Sequence, residues 1–514
     1  MNKYIVIICC LFFYSLAVNG TSETSSVQIG KTKYIGIYDS ENNQSIFRGI
    51  PYAKPPIGEL RWKSPVPLSK DPKVINAQGF KPACMQDEYT TVWYQDVAEL
   101  FGNPRKVFQH VDAVSEDCLY LNIWTNSLDQ TSKKPVMVWV HGGADTGGWS
   151  YEPNYLGHHL ASKNVVVVSI NYRLNIFGFF AHPQMSNQTG NFGLEDEILA
   201  LQWVKNHIAA FGGDPENITY FGESAGGAHV SYLIASPMGK GLFKRGIIQS
   251  GAYNLFNWTS KDKAEELGLK TQTILNAPDL QTMKTLSAEN ILSASIDLNH
   301  PYGPNIDGAL IPNNLTNLFE EGSFNNVDLM IGSNKNEDYM YIDESVTEKD
   351  INRLIENYYP EYRDKILSWL DLEDPRLAMD HLTTNQVTLC PSVFIARSLS
   401  KNGNNVYQYH FTRMREGSEK ILSYHGAEIP YVFNTHDEWL PSNEDDTQLT
   451  EAMMEYWVEF AKKGTPNSIN NPTWKEFGAE ENYLILDLPL ENSSKLENQF
   501  CEIMINEMVE RASR

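Results

Sequence analysis

The chain has 514 residues, 42% hydrophobic, 11% aromatic and 20% charged, the make-up of an ordinary globular protein with ample material for a large buried core. Its formal net charge of −23 argues against nucleic acid as a partner, because phosphate contacts need clustered Lys and Arg. The acidic excess serves solubility first, with steering of cationic substrates as the weaker alternative.

At the start of the chain Lys3 precedes an apolar run, Tyr4 to Val18, with small Gly20 at the cleavage point, so residues 1–20 read as a secretory signal. The run is short for a bilayer span, no stop-transfer pattern follows, and the polar stretch Glu502 to Arg514 carries no lipid-anchor signal. The expectation is a secreted protein, extracellular or (in a bacterium) periplasmic, without a stable membrane anchor. Four cysteines then remain, Cys84, Cys118, Cys390 and Cys501. In an oxidising compartment they predict two disulfides, with three pairings open. None has metal-finger spacing and no His-Glu-x-x-His occurs, so no metal is expected.

With no repeat and no Gly/Ser- or Pro-rich linker, residues 21–514 read as a single domain. Continuous apolar runs predict strands at Val136–Val140, Val165–Ile170 and Ile218–Phe221, each covered on both faces. Between the last two, Leu194, Ile198, Leu201, Val204 and Ile208 recur at helical spacing and end at Phe211-Gly212-Gly213-Asp214-Pro215. Strand, helix, strand with such runs predicts an α/β fold on a large, mostly parallel sheet. A later helix is predicted over residues 452–462, with Met453, Trp457 and Phe460 on one side.

The sharpest motif is Gly222-Glu223-Ser224-Ala225-Gly226, which follows a strand and leads into a helix-forming stretch, Ala228 to Ala235. Serine is a poor nucleophile unless it is held beside a base, and such a turn lifts its hydroxyl clear of the chain. The helix that follows aims its N-terminus at developing negative charge. A second loop, His141-Gly142-Gly143-Ala144-Asp145-Thr146-Gly147-Gly148, ends an earlier strand and suits backbone amides that face an oxyanion. Read as a phosphate loop it is weak, because no Gly-Lys-Ser/Thr follows.

Together with Phe47-Arg48-Gly49-Ile50-Pro51-Tyr52-Ala53 through Leu60-Arg61-Trp62, and with Glu116-Asp117-Cys118-Leu119-Tyr120-Leu121-Asn122, these motifs resemble the type-B carboxylesterases, the family that includes the cholinesterases. The likeness covers almost the whole chain beyond residue 20. It implies an α/β-hydrolase fold and cleavage of small-molecule carboxylic esters through an acyl-enzyme, with no cofactor. By the same resemblance, Ser224 is the nucleophile, Glu337 in Gly332-Ser333-Asn334-Lys335-Asn336-Glu337 the acid, and His425 in Tyr424-His425-Gly426-Ala427-Glu428 the base. It implies oxyanion-hole amides at Gly143, Ala144 and Ala225, disulfides Cys84–Cys118 and Cys390–Cys501, and structural ion pairs Arg61–Glu116 and Arg173–Asp196. His381, His410 and His436 read as surface or satisfied core histidines, and His141 and His229 as structural.

The chain departs from the family's Gly-Gly-Gly-aromatic pattern at Ala144 and Asp145, and Asp338 stands after the acid where Gly is usual. A solvent-facing Asp145 is favoured; an inward one would disfavour anionic substrates. The loop between the first two cysteines, where the cholinesterases keep their cation-binding Trp, offers Trp93 and Tyr94, but Phe108, a weaker cation–π partner, stands near the equivalent position, which argues against that subgroup. Tyr339, Met340, Tyr341 and Trp258 are candidates for the acyl pocket. Two alternatives stay open: a non-catalytic adhesion relative, and a hydrolase specialised for amides, lactones or carbamates. Oligomeric state is not legible.

Overall fold

Alternation along one central strand explains why the chain needs two buried layers. In the computed structural model, which describes residues 23–514 apart from 70, 186 and 300, the strand Lys134–Val140 sends Val136, Val138 and Val140 into one hydrophobic core and Met137 and Trp139 into another. A run that is apolar at every position is what a strand covered on both faces requires. The expectation of a signal peptide at residues 1–20 lies outside the described residues.

That strand belongs to a 13-stranded sheet. In chain order its members are β1 (Thr24–Ile29), β2 (Thr32–Asp39), β3 (Gln44–Pro51), β4 (Lys73–Asn76), β5 (Tyr120–Thr125), β6 (Lys134–Val140), β7 (Val166–Ile170), β8 (Gly213–Glu223), β9 (Arg245–Gln249), β10 (Asp328–Asn334), β11 (Val406–Phe411), β12 (Asn482–Leu486) and β13 (Glu491–Ser494). Across the sheet the order is β1-β2-β3-β5-β7-β6-β8-β9-β10-β11-β12-β13, with β4 beside β2. From β7 to β12 every neighbouring pair across the sheet is parallel, and β4 runs parallel to β2, while the pairs β1–β2, β2–β3, β3–β5, β5–β7 and β12–β13 are antiparallel.

The helices that matter for the site are α1 (Tyr89–Leu100), α2 (Phe192–His207), α3 (Ala225–Ala235), α4 (Cys390–Lys401), α5 (Glu444–Lys463) and α6 (Asn498–Ser513). α2 and α3 pack on β8, and α5 packs on β6 and β8. The predicted strand at 218–221 extends back to Gly213, with a register shift against β6 between Gly213 and Ile218. Pro215 falls in that gap, where a residue without an N–H interrupts no ladder bond.

Cys84–Cys118 closes the loop that carries α1, and Cys390–Cys501 ties α4 to α6, the pairs that the resemblance implied. Arg61 meets Glu116 through two contacts of 2.5 and 2.7 Å, and Arg173 grips the fully buried Asp196 through two of 2.7 Å.

Candidate active site

Ser224 stands between the end of β8 and the start of α3, at φ 55° and ψ −125°, a left-handed conformation that a non-glycine residue rarely adopts. The turn is tight because β6 passes directly beneath it. A Cβ on Gly226 would fall 2.2 Å from the Val140 carbonyl oxygen, so no larger residue fits there. The Ser224 N–H donates to the Gln249 carbonyl of β9 at 2.9 Å, which fixes the turn to the neighbouring strand.

The loop after β6 runs alongside. Gly143 has φ 102°, and a Cβ on it would meet the Gly147 carbonyl oxygen at 2.1 Å. Ala144 and Asp145 follow at φ 55° and 59°. Thr146 and Gly147 both donate backbone N–H groups to the Gly143 carbonyl, at 2.9 and 3.0 Å. Gln86 clasps Gly148 with two 2.8 Å hydrogen bonds, one to its N–H and one to its carbonyl. A loop tied this closely holds its amide directions.

Glu337 follows β10, and its carboxylate is 1% exposed. One oxygen accepts the Asn334 N–H at 2.6 Å and the other meets His425 Nδ1 at 2.6 Å. His425 is therefore oriented with Nε2 outward, where it lies 3.2 Å from Glu223 Oε1. Burial opposes an imidazolium here, but Glu223 and Glu337 outweigh it and raise the His425 pKa; burial also raises that of Glu223. Glu428 extends the network beneath, accepting from Asn334 at 2.7 Å and Gln249 at 3.0 Å. Sequence reasoning singled out neither Glu223 nor Glu428, although Glu223 adjoins the serine and Glu428 stands in the histidine motif.

Ser224, Glu337 and His425 line one cavity of about 350 Å³, together with Gly143 and Ala144. Ala225, buried as the first residue of α3, follows Ser224 directly. Aromatic side chains supply much of the wall, among them Tyr89, Trp93, Tyr155, Tyr253 and Tyr341. At the mouth the Trp93 indole donates to the Tyr341 hydroxyl at 2.7 Å.

Other expectations are redistributed. Of the four acyl-pocket candidates only Tyr341 lines this cavity; Trp258 lines a separate small one beside Asn254 and Leu315, and Tyr339 lies beneath Arg376. Phe108 is buried in a stack against Tyr94, with ring centroids 4.1 Å apart, which leaves Trp93 to line the cavity. His381, His410 and His436 stand elsewhere: His381 pairs with Glu497, His410 is buried, and His436 contacts Arg415 and Thr450. Asp338 fits the turn after Glu337, where its N–H donates to Asp380 at 3.1 Å.

Asp145 is a correction. It turns inward, not to solvent, and its Oδ1 lies 2.8 Å from Nε2 of His229 on α3. A charged partner in the core outweighs hydration of a side chain that is 13% exposed.

Among the described residues, no group of three or more His, Cys, Asp and Glu is arranged to hold a metal ion, and no helix is long and apolar enough to cross a membrane. The sequence model of the carboxylesterase family matches residues 24–504. The chain belongs to this family. Liver carboxylesterase 1 of Mus musculus is 32% identical over 94% of this chain and 93% of its own length, and the liver carboxylesterase of Sus scrofa 33% over 91% and 89%. Among solved structures, a PNB esterase aligns with TM-score 0.80 at 29% identity, covering 93% of this chain and 99% of the other. A Geobacillus stearothermophilus carboxylesterase does so with TM-score 0.80 at 28%, over the same shares. This carboxylesterase is thus an ester hydrolase of the α/β-hydrolase fold that acts on small-molecule esters.

Proposed function

We propose that the enzyme cleaves carboxylic esters through an acyl-enzyme on Ser224, with His425 as general base and acid and Glu337 as the group that orients it. The observation that carries this is the 2.6 Å contact between His425 Nδ1 and Glu337, in a cavity that Ser224 also lines from its strained turn. His425 Nε2 takes the Ser224 proton as Oγ attacks the ester carbonyl, then passes it to the departing alcohol. Water attacks the acyl-enzyme, His425 takes the water proton and returns it to Ser224, and the carboxylic acid leaves. The amides of Gly143, Ala144 and Ala225 stabilise the tetrahedral oxyanion in both halves. Atoms balance with ester and water alone, so the reaction calls for no cofactor.

The base works when Nε2 carries no proton. An ionised Glu223 favours the charged imidazole, and so raises the pH at which Nε2 can accept. We further read residues 1–20 as a secretory signal and residues 21–514 as one secreted catalytic domain. One sheet that runs from β1 to β13 and two disulfides favour that reading.

Turnover of p-nitrophenyl acetate and butyrate, measured beside Ser224→Ala, tests the mechanism. The variant is expected to lose on the order of 10⁴-fold or more in kcat, and a fluorophosphonate is expected to label Ser224 in the wild type only. Turnover that survives in Ser224→Ala would overturn the assignment.

A further inference from the structure

His229 is a fully buried histidine with a carboxylate on each ring nitrogen. Its Nε2 lies 2.8 Å from Asp145 Oδ1 as an ion pair, and its Nδ1 is hydrogen-bonded to Glu197 Oε1 at 2.6 Å. Glu197, on α2 and also fully buried, accepts the Tyr220 hydroxyl at 2.7 Å through its other oxygen. A neutral imidazole has one N–H and one lone pair, and that lone pair would confront a carboxylate. Two carboxylate neighbours therefore demand an imidazolium. Burial works against the charge, but Glu197 and Asp145 carry the His229 pKa up to about 10. Nearby, burial and then the His229 charge lower His141 to about 4, which leaves that ring neutral.

The contact reaches the loop that presents the amides of Gly143 and Ala144. Ala144 and Asp145 both hold left-handed backbone without being glycine, a step that persists only when its surroundings enforce it. Asn175 holds the Asp145 carbonyl from one side, with its N–H at 2.6 Å, and His229 holds the Asp145 side chain from another. An Asp145 carboxylate beside the reaction centre would also oppose a developing oxyanion, unless a cation offsets it.

We propose that His229, clamped between Glu197 and Asp145, is a positioning residue for the oxyanion hole: as an imidazolium it locks the Ala144–Asp145 step and cancels the Asp145 charge. The helix that carries Ser224 at its start thus also carries, five residues on, the cation that anchors the opposing amides. This rests on the reading of Ser224 as nucleophile and of the Gly143 and Ala144 amides as oxyanion donors.

His229→Gln and Asp145→Ala, each normalised to active sites titrated with a fluorophosphonate, would be compared with wild type and Ser224→Ala. The readouts are kcat and KM for p-nitrophenyl butyrate, and the affinity of an aryl trifluoromethyl ketone, which adds to the serine as a tetrahedral oxyanion. Each variant is expected to lose about 10- to 100-fold in kcat and a like factor in ketone affinity, with KM within about threefold. A partly misfolded preparation lowers the titre but leaves both ratios unchanged. Should His229→Gln fail to fold, Asp145→Ala, at the half-buried end of the contact, decides alone. Ketone affinity and kcat within about twofold of wild type in the folded variants would overturn the proposal. Turnover in Ser224→Ala would instead overturn the nucleophile assignment on which it rests.

Discussion

Glu223 is the residue expected to set the working pH most directly. Its Oε1 lies 3.2 Å from His425 Nε2, so its ionised form favours a protonated imidazole. Glu223→Gln removes that charge and leaves the Glu337 contact in place. The His425 pKa then falls, and the acid limb of the kcat/KM profile is expected to move down by about one pH unit or more. An unmoved limb would mean that the imidazole does not feel the Glu223 charge. Asp145 shows the same sensitivity to a neighbour. From the sequence it is one acidic residue among 64, in a chain where solvation is the ordinary fate of a carboxylate. Its partner is remote along the chain and meets it only once α3 lies under the loop.

At the scale of elements, α5 shows how one side chain secures a helix end near the histidine loop. Asn443 and Asp446 form a reciprocal cap, with the Asn443 side chain accepting the Asp446 N–H at 3.1 Å and Asp446 accepting the Asn443 N–H at 2.9 Å. The buried Asp446 carboxylate also accepts from Arg413 at 2.8 Å and from the Tyr431 hydroxyl at 2.7 Å. Burial would raise its pKa, but Arg413, Tyr431 and the Asn443 N–H more than offset this and lower it. A carboxylate whose pKa is lowered on folding contributes stability that is present above its ordinary value, near 4, and lost as pH falls through the lower folded one. Asp446→Asn is therefore expected to cost about 2–3 kcal/mol at pH 7. The gap in thermal midpoint from wild type should narrow below about pH 4. A gap that stays constant from pH 7 to pH 3 would contradict the charged reading of this cap.

For the whole molecule the two disulfides close loops of unequal length. Cys390–Cys501 spans 111 residues and Cys84–Cys118 spans 34. The loop-entropy account assigns about 5 kcal/mol to the first and about 4 kcal/mol to the second. Replacing Cys390 and Cys501 together by Ala is expected to lower the urea midpoint more than replacing Cys84 and Cys118. The second pair holds the loop that carries α1 and lines the cavity through Tyr89 and Trp93. Its loss is therefore expected to raise KM more than the first, and the reverse order in either measurement would place the constraint elsewhere.

The sequence by itself determined the family, the parallel α/β architecture and the strands around the elbow. Each of these is written in local chemistry: apolar runs at 136–140 and 165–170 that only a doubly covered strand explains, and a Gly-Glu-Ser-Ala-Gly turn whose glycines answer to sterics within a few residues. The pairing of His425 with Glu337 was legible only through the resemblance, because nothing local links residues 88 positions apart. Tertiary structure alone decided the rest. It turned Asp145 toward His229, brought Glu223 against the imidazole, buried Phe108 and left Trp93 to line the cavity. It also placed Trp258 outside that cavity. The physical reason is common to all of these: the orientation of a polar or aromatic side chain at a loop is set by whichever distant group satisfies it, and that group is chosen by packing. Patterns along the chain record which residues are buried, but not which of them meet.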